Sequence, residues 1–187
     1  MARFRDQSDE LLTVLQRFTP QAASVDATAR IVADAVLNGG TLFTCGNGGS
    51  AADAIHLAEE LLGRYRGDRR PLAAVCLNTD VGALTCIAND LGFSQIFARQ
   101  LQALGRPGDL LVVFSTSGNS PNILNALTTA RNAGLITVAL LGQSGGTARN
   151  LAEHSLIVPS ANSARIQEVH GLILHAICEE LEERCTL

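Results

Sequence analysis

Apolar and polar residues follow one another along this chain in two different rhythms. Over 6–18 and 22–37 the apolar positions recur every three or four residues, as at Val25, Ala29, Val32, Ala33 and Val36. That spacing predicts two amphipathic helices, the second ended by Asn38-Gly39-Gly40. Beyond residue 40 short, continuous apolar runs take over. TLFTC (41–45), LAAVCL (72–77), DLLVVFS (109–115), LITVALLG (135–142) and HSLIVPS (154–160) read as five strands. The stretches between them read as helices: one running through Leu62, others around 80–88 and 93–104, and one from Pro121 to about Asn132. A long terminal helix spans 162–184. Buried strands separated by helices predict an α/β fold, a five-stranded parallel sheet with helices on both faces. No internal repeat, low-complexity tract or splitting linker interrupts the pattern.

The length of 187 residues suits one domain, here 1–187, with helices in 1–37 and the α/β core with its terminal helix in 38–187. At 47% apolar and 17% charged, the composition argues against disorder. All fourteen basic residues are arginine, so the chemistry of a P-loop lysine, a Schiff base or a pyridoxal anchor is excluded. Eighteen acidic residues bring the net charge to −4. The cluster RYRGDRR (64–70) is short and carries its own Asp, so no nucleic-acid partner is expected. No apolar run has membrane-spanning length, and MARFRDQSDE lacks a signal-peptide core. The five cysteines (Cys45, Cys76, Cys86, Cys178, Cys185) include no CxxC pair and read as reduced, mostly buried thiols of a cytoplasmic protein.

Two strand ends carry unusual loops. Cys45-Gly46-Asn47-Gly48-Gly49-Ser50 runs directly into a helix, whose first turn offers unpaired N–H groups. Ala51 stands where a dinucleotide fingerprint needs its third glycine, so the loop is either a ligand cradle or a structural turn. The second loop, Ser115-Thr116-Ser117-Gly118-Asn119-Ser120, precedes Pro121 at the first position of a helix. Ser120 could be a simple N-cap. Capping needs only one hydroxyl, and four crowd this turn, a donor set suited to a phosphate dianion.

Polar residues also mark two largely apolar helices. His56 and Glu60 stand four apart, on one helix face. Gln167, His170 and His175 lie on the terminal helix, whose centre is apolar nearly all round. Each set has an ordinary reading: His56–Glu60 as a surface pair, and His175, within LILHAIC, as a hydrogen-bonded core histidine. If they converged, they would offer a zinc-type donor set.

Taken together, CGNGGSAADAIHLAEEL (45–61), NTDVGALTCIANDLGF (78–93), FSTSGNSPN (114–122) and ARIQEVHGLILH (164–175) resemble the sugar isomerase (SIS) domain family, in particular its phosphoheptose isomerases. The likeness runs over nearly the whole chain from residue 25 onward. TSGNS alone would specify only the superfamily; HxxxE and RIQExHxxxxH narrow it. The resemblance implies a single SIS domain of three layers, assembled as a homotetramer with active sites at subunit interfaces. It implies substrate contacts at Asn47, Gly48, Gly49, Ser50, Glu60, Asn89, Asp90, Ser115, Thr116, Ser117, Ser120 and Gln167. It further implies one Zn2+ per subunit held by His56, Glu60, Gln167 and His175. Ala51-Ala52 and the short connection at 67–71 depart from the family pattern, but leave these residues intact.

The implied reaction interconverts sedoheptulose 7-phosphate and D-glycero-D-manno-heptose 7-phosphate, the first step toward nucleotide-activated heptose. Moving a carbonyl between C1 and C2 needs two acid–base groups around a cis-enediol, and Glu60 and His175 are the candidates. Two alternatives compete. One is a non-catalytic SIS protein of the kind that associates with a replication initiator, which lacks the His/Glu pattern. The other is an isomerase of shorter sugar phosphates. Gln167 and His175 stand eight apart, about 12 Å along a helix. Both reach one ion only at full stretch, so a neighbouring subunit is expected to supply one of them.

Overall fold

The computed structural model describes residues 3–185. Two helices open the chain, α1 (Arg3–Phe18) and α2 (Ala22–Leu37), separated by a single 3-10 turn at Thr19–Gln21. The core then alternates β1 (Leu42–Gly46), α3 (Gly49–Leu62), β2 (Ala74–Cys76), α4 (Val81–Leu91), α5 (Ala98–Leu104), β3 (Leu110–Ser115) and α6 (Pro121–Asn132). It ends with β4 (Ile136–Gly142), α7 (Ala148–Leu151), β5 (His154–Val158) and α8 (Ser163–Cys185). All five strands are parallel in the order β2-β1-β3-β4-β5. The α/β sandwich expected from the run pattern is the architecture found.

Alternation along the central strands sorts the core into two halves. Leu110, Val112 and Phe114 face a layer of α1, α2, α3 and α8. Leu111 and Val113 face α5, α6 and α7. A period of two in a strand buried on both faces produces this division, and it explains why the strands read as unbroken apolar runs.

The boundaries differ where turn chemistry intervenes. Gly92, at φ +90°, follows α4, and a 3-10 turn at Phe93–Gln95 splits off what the pattern joined as 93–104. Edge strand β2 keeps only three residues, and β5 stops before Pro159, which has no N–H for a ladder. The one-turn helix α7 carries no periodic signal long enough to be read. Among the described residues, no helix is long and apolar enough to cross a membrane.

The two histidines of α8 have different surroundings. His170 is fully buried beneath the sheet, its ring edge-on to Phe114 at 6.0 Å. Its Nε2 lies 3.2 Å from the Leu141 carbonyl, which can only accept, so Nε2 carries the proton. Nδ1 is buried without a partner. Burial holds the imidazole neutral and pushes its pKa down to about 4, the Leu141 bond opposing only in part. The core-histidine reading attached to His175 within LILHAIC is therefore corrected: His170 is the buried core histidine, whereas His175 is half-buried beside His56 and Tyr65, because the two rings leave the helix in different directions.

Above pH 6.5 the folded and unfolded chains both hold this ring neutral. Between 6.5 and about 4 only the unfolded chain takes the proton, so stability falls with pH across that window. The full difference amounts to about 3 kcal/mol at 1.36 kcal/mol per unit. Urea unfolding of wild type and His170→Gln at pH 7 and pH 4.5 should show a steeper acid loss in the wild type. Equal losses would remove His170 from this role.

Candidate active site

Strand order sets where a ligand can sit. The chain leaves β1 toward β2 on one side and continues from β3 toward β4 on the other, so crossovers diverge between β1 and β3. The gap at the carboxyl ends of two such strands is the usual ligand crevice of an open parallel sheet. Both unusual loops open there, since one follows β1 and the other follows β3.

The glycine loop is held from two sides. Asn78 Nδ2 donates to the Gly46 carbonyl at 2.9 Å, and Asn78 Oδ1 accepts from Gly46 N–H at 3.1 Å. Gly48 adopts φ +57°, ψ −123°, a conformation open in practice to glycine alone. Asn47 and Asn122 exchange side-chain bonds, Asn47 Nδ2 to Asn122 Oδ1 at 2.9 Å and Asn122 Nδ2 to Asn47 Oδ1 at 2.8 Å. This reciprocal amide pair ties the β1 loop to the first turn of α6. The amide of Asn47, expected at the substrate, therefore braces the two loops. Asn122 and Asn78 lie at the ends of the matching segments 114–122 and 78–93, but nothing in their spacing marks them as braces.

The serine loop is braced by the segment after β4. Asn119 Oδ1 accepts from Thr147 N–H at 2.9 Å and from the Thr147 hydroxyl at 3.1 Å, and the Ala148 N–H donates to the Gly118 carbonyl. Ser115 Oγ is buried and accepts from Gly118 N–H at 3.1 Å, so it shapes the turn. Thr116, Ser117 and Ser120 remain half-buried. Ser120 occupies the N-cap of α6 in extended backbone geometry, yet its side chain makes no capping bond. The simple-cap reading of Ser120 fails on that point, and its hydroxyl stands free at a positive helix end.

One turn after another along α3, Gly49, Asp53, His56 and Glu60 share a face, being spaced four, three and four apart. That face meets α8. His56 Nε2 lies 3.2 Å from Glu60 Oε1. The His56 and His175 rings are edge-on with centroids 5.2 Å apart. One ligating atom from each of His56, Glu60 and His175 lies within 4.8 Å of the others. Tyr65, from the arginine-rich connection after α3, stacks on His175 at 5.5 Å and 28°. Arg66 covers Tyr65 at 4.7 Å and pairs with Glu179 at 2.6 Å. Arg69 donates to the Glu60 and Leu61 carbonyls, closing the end of α3. The cluster RYRGDRR thus packs the site wall, a role its composition did not reveal.

Gln167 takes a separate place within one chain. Its amide lies against Gly49, where a Cβ would come within 2.5 Å of Nε2 and 2.6 Å of Oε1. Gly49 precedes His56 by seven residues, about 10 Å along the helix. Gln167 therefore sits at the glycine loop while the three-donor cluster lies two turns further on. Asn89 and Asp90 are exposed on α4, bonded to each other at 2.7 Å. A cleft of about 340 Å³ between α1, α2 and α8 reaches His175 and is lined by Phe18, Val25, Tyr65, Leu172 and Ile173.

Burial also shapes the electrostatics here. Asp53 is raised to about 6 by desolvation, with His56 opposing. The thiol of Cys178 is pushed up to about 12, first by burial and then by the nearby Glu60, which keeps it protonated.

A parallel sheet with a hydroxyl-rich loop at its carboxyl edge, and a His/Glu cluster two turns along the helix that leaves that edge, defines an SIS-type α/β protein. A family model described as the SIS domain matches residues 4–142. A phosphoheptose isomerase of Solidesulfovibrio magneticus is 52% identical over 162 residues, 87% of this chain and 79% of that one. The solved structure of phosphoheptose isomerase from Neisseria gonorrhoeae superposes with a TM-score of 0.91 at 39% identity, covering 97% of both chains. That of Francisella tularensis gives 0.89 at 36%, covering 98% of this chain and 100% of the other. The chain belongs to the SIS domain family, among its phosphoheptose isomerases.

Because Ser120 makes no cap bond, Ser120→Ala should change stability by less than about 0.5 kcal/mol, below a usual cap loss. Titration calorimetry with inorganic phosphate should show affinity about tenfold weaker, the loss of one charge-assisted bond. Unchanged phosphate affinity with a lowered melting point would make Ser120 a cap after all.

Proposed function

We infer that this chain is an aldose–ketose isomerase that converts sedoheptulose 7-phosphate to D-glycero-D-manno-heptose 7-phosphate. The observation that carries the reading is the pairing of a hydroxyl-rich loop at the β1/β3 crevice, with Ser120 unbonded, and the His56–Glu60–His175 cluster on α3 and α8. A phosphosugar needs one place to hold its phosphate and another, further along, for its carbonyl end. The identity to enzymes of this activity favours it over the non-catalytic alternative.

The hydroxyls of Thr116, Ser117 and Ser120 hold the phosphate, together with the N-terminal turn of α6. Binding energy from that remote group orients the carbonyl end, where little else distinguishes one carbon from the next. Glu60 takes the proton from one carbon and His175 moves the hydroxyl proton, passing through a cis-enediol. Tyr65 fixes the plane of the His175 ring by stacking on it.

Two imidazoles and a carboxylate fit a zinc-type ion. Bonds of about 2.0–2.2 Å at tetrahedral angles need donor atoms about 3.4 Å apart. The present separations, all within 4.8 Å, close to that by small side-chain rotations. Three protein donors leave a position open, the mark of a catalytic rather than a structural site. An ion there would polarise substrate oxygens. Glu60 has two oxygens, so one remains for proton transfer while the other is engaged.

We place this site at a contact between subunits of a homo-oligomer, a tetramer by family resemblance. Leu172 is 56% exposed beside the His175 cleft. Val81 at the start of α4 and Phe93 in the 3-10 turn after it, beyond Asn89 and Asp90, are 68% and 61% exposed. Apolar surface of this kind is what a second copy would cover. It would bring Gln167, Asn89 or Asp90 of a neighbour to a cluster that their own chain leaves them away from. The enzyme is read as cytoplasmic, with reduced thiols and no nucleic-acid or membrane partner. Its five cysteines form no disulfide.

Incubation of the purified protein with sedoheptulose 7-phosphate should produce the aldose by NMR. Glu60→Gln should lower kcat at least about 100-fold; a folded variant with near-normal kcat would take the proton-transfer role from Glu60. Shared sites have a separate test. Mixing inactive Gln167→Ala and His56→Ala subunits under exchange conditions should restore activity, whereas verified mixed oligomers that stay inactive would place both residues in one chain's site.

A further inference from the structure

On the α3 face that carries His56 and Glu60, one polar residue has no assigned work. Asp53 lies three residues before His56, one helical turn toward the glycine loop, and its Oδ2 is buried without a hydrogen-bond partner. A buried carboxylate oxygen left unpaired is costly to the fold, so its retention calls for a partner in another state. Two groups compete for that place. Buried water is one. The ring of His56 is the other: residues three apart on a helix are lateral neighbours, and Asp53 already feels the charge of His56. The ring uses Nε2 toward Glu60 at 3.2 Å, and no bond is recorded for Nδ1.

We propose that Asp53 is the positioning carboxylate of His56, accepting the Nδ1–H bond when Nε2 turns from Glu60 to a bound metal ion. The inference rests on the metal reading given above. A metal-ligating imidazole presents a lone pair at one nitrogen and must carry its proton on the other, where an acceptor fixes both tautomer and ring orientation. Glu60 cannot serve as that acceptor, because it flanks Nε2 and belongs to the same donor cluster. Asp53 stands on the opposite side along the helix. The arrangement also accounts for the lone buried oxygen: in the metal-free chain the proton lies toward Glu60, and Asp53 waits unpaired.

The test measures Zn2+ affinity by competition with a chromophoric chelator for wild type, Asp53→Asn and Asp53→Ala, with thermal melting of each metal-free protein. Loss of the acceptor should weaken Zn2+ binding about 10- to 100-fold in Asp53→Ala. Asp53→Asn, whose amide oxygen still accepts, should lie between. The metal-free variants should melt no lower than wild type, because an unpaired buried carboxylate has been removed. In Zn2+-loaded wild type, imidazole 15N–1H spectra should show an exchange-protected Nδ1–H for His56 that Asp53→Ala loses. Equal Zn2+ affinity in wild type and Asp53→Ala would overturn the proposal and leave the metal site standing. Metal-free Asp53→Ala melting well below wild type would make Asp53 a structural residue. A wild type that binds no Zn2+ would sink the metal reading and this inference with it.

Discussion

Two loops meet in this protein because of a constraint on chain direction. A parallel strand can be followed only by a crossover, and the crossovers leave β1 and β3 toward opposite edges of the sheet. The space between their carboxyl ends is therefore not covered by either connecting helix. Everything at the site depends on that uncovered gap. The glycine loop and the serine loop are the first residues after those two strands. The reciprocal Asn47–Asn122 amide pair then locks one loop to the other across it. A strand inserted between β1 and β3 would separate the loops by about 5 Å per step and destroy the crevice.

The same geometry launches α3 and α6 from the crevice with their N-termini toward it. Positive helix ends favour an anion, and this chain places hydroxyls rather than basic side chains around them. That choice is consistent with a protein that lacks lysine altogether. Further along α3, the residue stripe Gly49, Asp53, His56, Glu60 changes from backbone-accessible to acid–base in three turns.

Packing on α8 decides which of its polar residues join that stripe. His170 and His175 are five apart, so they face directions separated by roughly 140° at 100° per residue. One goes under the sheet to Leu141 and Phe114, where burial keeps it neutral. The other reaches His56 and Tyr65 at the rim. Two chemically identical side chains acquire a core and a rim position from that rotation alone.

Much of this was legible in the amino-acid order. Continuous apolar runs separated by 3.6-residue periodicity dictate a two-faced parallel sheet, since no other arrangement buries them. Glycines and hydroxyls after two of the runs mark the ligand edge, and the i,i+4 pair His56–Glu60 needs only helix geometry. What the order of residues could not decide is anything that depends on which distant surfaces touch. The Asn47–Asn122 brace joins residues 75 apart. The Tyr65 stack comes from a connection without periodicity. The free hydroxyl of Ser120 occupies a position where a cap was equally expected. Gln167 sits against Gly49 because that position lacks a side chain, a fact of packing rather than of spacing. Local periodicity sets the direction of a side chain relative to its own element, whereas its partner is set by how the elements pack. Only the tertiary structure supplies the second.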